Sequence, residues 1–352
     1  MAKRKNRKSV VAMGGGTGTY AVLTALKKYP ELDLKAVVAM TDDGGSTGVL
    51  RDELGVLPPG DIRQCLVALS EAPETVRELL NYRFDNGSLK GHSFGNLFLS
   101  ALEKVSGSFE KGIAEISKII RIKGEVIPVV LNSVKLAMVL KNGTVLEGER
   151  NITPSEFIQP IGIKKYYLKP KAKINPKAQK ATLNAKAIII GPGNLYTSII
   201  PLFLVDGLKQ TLKQSKAKKI LIINLITKFG QTDNFSIFDF VAEIEKFLGK
   251  GIIDLAVFNT QEPQDQLIKR YFRLEKSKPI VFRLQKSNLP EKARPLSKNR
   301  FVFNQIEFIG GNLIGNNIAE QSESDHLIKR NLIRHDYKKL GKFLSELIFS
   351  LD

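Results

Sequence analysis

The chain reads as an α/β protein, a Rossmann-like doubly wound parallel sheet carrying a small antiparallel and helical insertion. Three observations predict this. Apolar runs of strand length alternate with stretches of helix length, the pattern of βαβ units. Two of those runs end in glycine-rich turns that enter helices, at Gly14 and again at Gly191. The longest apolar pieces, such as Ile188–Ile190 and Ile220–Ile223, are strand-sized and bounded by polar residues.

The elements follow in order. "SVVAM" (9–13) is a buried strand, and "GGGTGTYAVLTALKKY" is a glycine turn opening a helix. "LKAVVAM" (34–40) is a second strand. Helical stretches are expected at about 61–70, 73–83, 95–104 and 109–121, with a short helix at 48–53. "EVIPVVLNSVKLAMVLKNGTVLEGE" alternates around Asn142-Gly143 and predicts a hairpin or small antiparallel unit. Residues 164–184, rich in Lys and Pro, are read as a strand plus a surface connection. "KAIIIGPGN", "KKILIINL" and "IIDLAVF" resume the parallel pattern. Residues 284–330 are polar and Asn-rich and are read as a loop-rich insertion. A last helix at 336–349 carries Leu340, Phe343, Leu344, Leu347 and Ile348 on one face. The organisation expected is a basic tail (1–8) and one domain (9–352).

Composition bounds the function. At 352 residues and 43% apolar, a full core is available. No stretch reaches the length of a membrane helix, and no secretory cleavage pattern follows the basic N-terminus. A single cysteine, Cys65, excludes an intramolecular disulfide framework and fits a reducing, cytoplasmic setting. The net charge of +19 raises nucleic acid or an anionic surface as a partner. The lysines are scattered and lack interleaved aromatics, so a Lys-rich background is the better reading and no specific nucleic acid is expected.

Five motifs carry chemistry. "GGGTGT", Gly14, Gly15, Gly16, Thr17, Gly18 and Thr19, joins a strand to a helix. There the backbone approaches a ligand closely and the helix N-terminus favours an anion. It is neither a strict G-x-G-x-x-G nor a P-loop, and a turn without ligand is the alternative. In "TDDGGST", Asp42 and Asp43 stand 24 and 25 residues after Gly18, close to where a Rossmann unit places its ribose-binding acid. Strand alternation points the two apart, so one faces a sugar and the other a cation or a capping N–H. Gly44, Gly45 and Ser46 offer further donors. An acidic turn capping the helix at 48–53 explains the same residues. In "PPGDIRQ", Asp61 resembles an N-cap. Arg63 in the first turn is a candidate phosphate partner, since a cation there is otherwise unfavourable; a structural pair with Asp61 or Asp43 is the alternative. In "GHSFGN", Asn96 is within reach of a ligand amide or phosphate. The three histidines, 92, 326 and 335, lack the spacing of a structural zinc site. "GPGNLYTS" supplies Gly191, Gly193, Asn194, Tyr196 and Thr197 at a second strand–glycine–helix junction. Two such junctions in one parallel sheet should border one crevice that holds phosphates and a sugar. No catalytic residue is identified beyond the candidates Asp42 and Asp43.

In this order, "GGGTGT", "TDDGGSTGVLRDELGVLPPGDIRQCLVALS", "GHSFGNLFLSAL", "GPGNLYTS" and "IRHDY" resemble the gluconeogenesis factor (YvcK-like) family, relatives of the CofD-like 2-phospho-L-lactate transferases. The resemblance covers about 9–283 and 332–349. It implies a cytoplasmic protein that binds UDP-sugars such as UDP-N-acetylglucosamine, with no required cofactor, tied to cell shape, envelope growth and gluconeogenic carbon. Partners in envelope synthesis and a homo-oligomer, a dimer, go with it. The transferase branch implies the alternative, Mg²⁺-dependent transfer from a nucleotide-linked donor, with Asp42 and Asp43 at the metal. By the same resemblance Gly14–Thr19 and Gly191–Thr197 surround the diphosphate and sugar. Tyr271 ("IKRYFRLEKSKP") and Arg334 ("IRHD") would close over the ligand, Tyr271 on the sugar or base and Arg334 on the diphosphate. Departures are Asn194 where the family has Ser, Tyr337 where a Thr is frequent, and the atypical 284–330 stretch.

Overall fold

The computed structural model describes residues 7–285, 287, 289–315 and 333–351. Residues 1–6 of the expected tail, and 316–330 of the expected insertion with His326, lie outside the described residues.

The strands are β1 (Lys8–Gly14), β2 (Leu32–Val38), β3 (Glu125–Pro128), β4 (Lys135–Leu140), β5 (Val145–Glu147), β6 (Ile163–Lys169), β7 (Ala187–Ile190), β8 (Lys218–Ile222), β9 (Leu255–Asn259), β10 (Arg294–Ser297), β11 (Arg300–Phe303) and β12 (Ile306–Gly311). Nine form one sheet in the order β10-β11-β12-β9-β8-β7-β1-β2-β3. Every pair from β12 through β3 is parallel. The chain winds outward through β1, β2 and β3, then returns to β7 and winds the other way. The order therefore reverses between β1 and β7, and a crevice opens at that point outside the carboxyl ends of the strands. Val10 to Met13 and Ala187 to Ile190 are all buried, as central parallel strands covered on both faces require.

Helices α1 (Gly16–Leu26), α2 (Gly45–Leu54), α3 (Gly60–Leu69), α4 (Glu74–Asn81), α5 (Phe94–Ser106) and α6 (Phe109–Ile119) fill the connections between β1 and β3. The short α7 (Glu149–Ile152) lies between β5 and β6 of a three-stranded antiparallel sheet, β5-β4-β6. The expected hairpin turns at Asn142-Gly143, where Gly143 has φ 91°. The run before it, Glu125–Pro128, leaves that unit and pairs with β2 at the edge of the large sheet.

Two stretches differ from expectation. Within the Lys- and Pro-rich connection, Pro176–Leu183 is a helix, with Pro at its start and Asn175 as N-cap, accepting from Lys177 N. Within the stretch read as loop-rich, residues 294–311 extend the sheet by three strands. The turn Asn304-Gln305 sits at positive φ (49° and 65°). It reverses "RFVF" onto "IEFIGG", and Phe301 and Phe308 stack at 4.9 Å between centroids. These join Phe238, Phe258 and Phe282 in an aromatic cluster. The polar flanks of these short strands hide the cluster from a compositional reading.

Candidate functional site

Both glycine junctions lie at the switch point, and they touch. A Cβ on Gly18 would stand 1.8 Å from Pro192 O, so only glycine admits the second loop. Asn224, just beyond β8, clamps that loop: its Oδ1 accepts from Gly193 N at 3.2 Å and its Nδ2 donates to Gly193 O at 2.8 Å. A cavity of about 730 Å³ opens alongside, within the usual range for small-ligand sites. Thr17, Gly18, Gly193, Asn194 and Arg334 line it, five of the residues singled out from the sequence. Further wall comes from Thr153, Pro154 and Glu156, from the Asn224–Thr232 stretch without Gly230, from Leu274 to Ser277, and from Ile333, His335 and Tyr337. Thr17 and Gly18 belong to the first turn of α1, whose own residues supply no side-chain cap and no acid. Asp61 takes the Gly16 N–H from outside the helix, which leaves the Thr17 and Gly18 N–H groups to face an anion.

The cavity is cationic on one side. Lys228 lines it, and burial lowers its pKa to about 8, opposed by the charges of Glu149 and Glu275. Arg334 and Lys276 add two more cations. His335 also lines it. Burial alone lowers its pKa to about 4, so its ring is neutral at pH 7.

Beside the first glycine junction lies a cluster of acids, the acidic recess. Asp61 does not cap its own helix: the N-cap of α3 is Pro59, and Asp61 lies in the first turn. Its carboxylate receives the Gly16 N–H and comes so close to Gly15 that a Cβ there would lie 2.2 Å from Oδ2. Burial, then the charge of Asp42, raises Asp61 to about 7. Asp42 is raised by burial against the opposing hydrogen bonds from Gly44 and Thr47. Glu149 of α7 is raised by burial and then by Asp42 and Asp61, with the Thr197 hydroxyl opposing. Three carboxyls therefore share one poorly hydrated place and titrate together.

Several expected contacts are otherwise engaged. Asp43 is turned away from the recess. Its Oδ1 accepts from Arg150 N at 3.0 Å, and its Oδ2 stands 3.9 Å from the buried Arg51 guanidinium. Asp42 and Asp43 therefore do not converge as a metal pair. Among the described residues no group of three or more Asp, Glu, His or Cys side chains is arranged to hold a metal ion. Arg63 is buried and donates to Asn96 Oδ1 at 2.9 Å, to Leu80 O and to Asn81 Oδ1. Asn96 in turn donates to Ser46 Oγ at 3.4 Å. This network ties α2, α3, α4 and α5 together, so Arg63 braces helices where a phosphate contact was expected. Tyr196 faces the interior, donating to Glu243 Oε1 at 3.0 Å. Tyr271 is buried behind the wall, where its hydroxyl accepts from Ile333 N at 3.2 Å. Thr19 is buried against Gly15 O. Thr197 contacts Thr153 and Glu149, joining the second glycine junction to the acidic recess.

Comparisons with known proteins bear on the family and the fold. The family model described as 2-phospho-L-lactate transferase CofD matches residues 10–299. This chain belongs to the CofD-like family. The gluconeogenesis factor of Bacillus subtilis is 34% identical over 342 residues, covering 96% of this chain and 98% of that protein. The gluconeogenesis factor of Halalkalibacterium halodurans is 39% identical over 277 residues, covering 78% of this chain and 84% of its own. A crystal structure of a Bacillus halodurans protein superposes with a TM-score of 0.81 at 33% identity, covering 98% of this chain and 100% of that one. This CofD-like chain thus falls beside proteins named gluconeogenesis factors.

Sequence reasoning missed the stretch Asn224–Thr232, along with Thr153, Glu149 and His335. The stretch was findable, because "NLITKFGQT" follows a third parallel strand and ligands gather at such ends. Glu149 was not, since it comes from the antiparallel unit, 107 residues from Asp42.

Proposed function

We propose that the protein binds a nucleotide-linked sugar of the UDP-N-acetylglucosamine kind in this cavity. It serves as a metabolic factor tying carbon supply to envelope growth and cell shape, without turnover. One observation carries the reading. Both glycine junctions, with Thr17 and Gly18 of the first turn of α1, line one cavity with Lys228, Lys276 and Arg334, which outnumber its two carboxylates, Glu156 and Glu275, at the switch point of a parallel sheet. Uncapped N–H groups and cations match a diphosphate, and the volume leaves room for the groups on either side of it. The uridine, the envelope and the cell come from the family resemblance.

Calorimetry with UDP-N-acetylglucosamine, UDP-glucose, GTP and NAD⁺, each with and without Mg²⁺, tests it. Selective uridine binding that does not need the metal is expected. Absence of binding at millimolar UDP-N-acetylglucosamine would sink the reading. The acidic recess and the family favour one rival, transfer from a nucleotide-linked donor with Mg²⁺. With Asp43 engaged by Arg51 and Arg150, Asp42 is the acid of the expected pair left to serve it. That reading requires metal-dependent consumption of a guanine-nucleotide-linked donor in the same samples.

A further inference from the structure

Three side chains lining the cavity carry buried polar atoms that no described residue partners: Asn194 Oδ1, Gln231 Oε1 and His335 Nε2. Gln231 is the most constrained. It is 1% exposed, and its Nε2 donates to Ile152 O at 3.0 Å and Thr153 O at 2.8 Å. Two carbonyls at one end of an amide can be served only by its NH₂. That settles which way the amide lies and makes Oε1 an acceptor. Its backbone is fixed as well, since Gln231 N donates to Lys228 O at 3.1 Å. A buried carbonyl oxygen left without a donor is costly, and this one belongs to a residue in the cavity wall. Asn194 Oδ1 repeats the pattern on the second glycine junction, whose loop Asn224 holds in place.

We infer that Gln231 Oε1, with Asn194 Oδ1, accepts hydroxyl hydrogen bonds from a sugar adjoining the diphosphate, making Gln231 a specificity-determining residue. The inference rests on the nucleotide-sugar reading. Phosphate oxygens only accept, so an amide oxygen repels them. Gln231 N donates to Lys228 O at 3.1 Å and both residues line the cavity, so a ligand whose phosphate meets Lys228 brings the groups adjoining that phosphate to Gln231. Those are ring hydroxyls, which donate. The terminal sugar and the ribose both offer them.

The test is calorimetry of UDP-glucose, UDP and 2′,3′-dideoxy-UDP on the wild type and on Gln231→Met, which keeps bulk and removes the acceptor. UDP-glucose should weaken at least about ten-fold in the variant. If the terminal sugar is read, UDP binds both proteins alike. If the ribose is read, UDP weakens as well and dideoxy-UDP does not. Unchanged affinity for UDP-glucose overturns the inference, and so does equal weakening of all three ligands. If the wild type binds none of them and no UDP-N-acetylglucosamine either, the nucleotide-sugar reading itself fails, a result distinct from either of those. Asn194→Leu, at a half-buried loop position, carries the same test should Gln231→Met not fold.

Discussion

The block from Asp42 to Asn96 and the stretch from Asn224 to Thr232 differ in what their side chains give the cavity. The Asp42–Asn96 block is the conspicuous one, dense in acids and glycines, yet most of its side chains bind one another. Asp43 holds Arg51 and Arg150, and Arg63 holds Asn96 and Asn81. The Asn224–Thr232 stretch has no dense motif, yet it contributes Lys228 and Gln231 to the cavity wall. A dense motif marks a place where backbone and side chains are tightly constrained. Buried polar atoms without partners among the described residues occur in both, Arg51 Nη1 and Gln64 Oε1 in the block and Gln231 Oε1 in the stretch, but of these three residues it is Gln231 that lines the cavity.

The largest expected effect breaks that comparison within one dipeptide. Asp43→Ala removes the buried one of the two carboxylates beside the Arg51 guanidinium, whose side chain is 3% exposed, and leaves it the half-exposed Asp52 at 3.4 Å. Arg150 N loses its acceptor as well, and together these losses should cost about 2–4 kcal/mol, to be read from urea unfolding. Asp42→Asn should be neutral to stabilising at pH 8. It retains an oxygen for the Gly44 N–H and removes a charge that burial disfavours. Equal losses from the two changes would show that the neighbouring acids are not in different environments.

A smaller effect separates the acidic recess from the rest by pH. Asp61 is raised to about 7, so the native state holds this proton more tightly than the unfolded chain does. Stability is then greater while the carboxyl is protonated and declines as pH rises from about 4 towards 7, by roughly 1–3 kcal/mol. Asp61→Asn should flatten part of that decline and leave a remainder from Asp42 and Glu149, which are raised as well. Unfolding curves at pH 5 and pH 8 decide it. A wild type that loses no stability over this interval relative to Asp61→Asn would place the proton elsewhere.

Much of the fold was legible because parallel strands buried on both faces leave continuous apolar runs, and β1, β2, β7, β8 and β9 all do. The three strands of residues 294–311 were not, since they are short and polar-flanked, and their aromatic residues find partners only in three dimensions. At the site, periodicity and glycine spacing located the two junctions, and the structure brings them into contact. Side-chain direction was beyond reach. Nothing local shows that Tyr196 turns towards Glu243, or that Asp61 reaches across to Gly16 instead of capping its own helix.

The smallest expected effect concerns Tyr271, which family resemblance assigns to the ligand and the structure places behind the wall. Its hydroxyl accepts from Ile333 N, and its ring packs with Leu225, Ile314 and Ile333. Leu225 and Ile333 themselves line the cavity. A ligand in the proposed site would therefore feel Tyr271 only through these two neighbours, as a positioning residue. Tyr271→Phe keeps the ring and loses the acceptor, so it should cost about 0.5–1.5 kcal/mol of stability. Affinity for UDP-N-acetylglucosamine should shift by less than about three-fold, since the packing that shapes the wall survives. A direct hydrogen bond to the ligand would behave differently, because the loss would then fall on affinity with stability little changed. Measuring both quantities on one variant distinguishes the two. A ten-fold loss of affinity at unchanged stability would mean that the wall rearranges on binding and brings Tyr271 to the ligand.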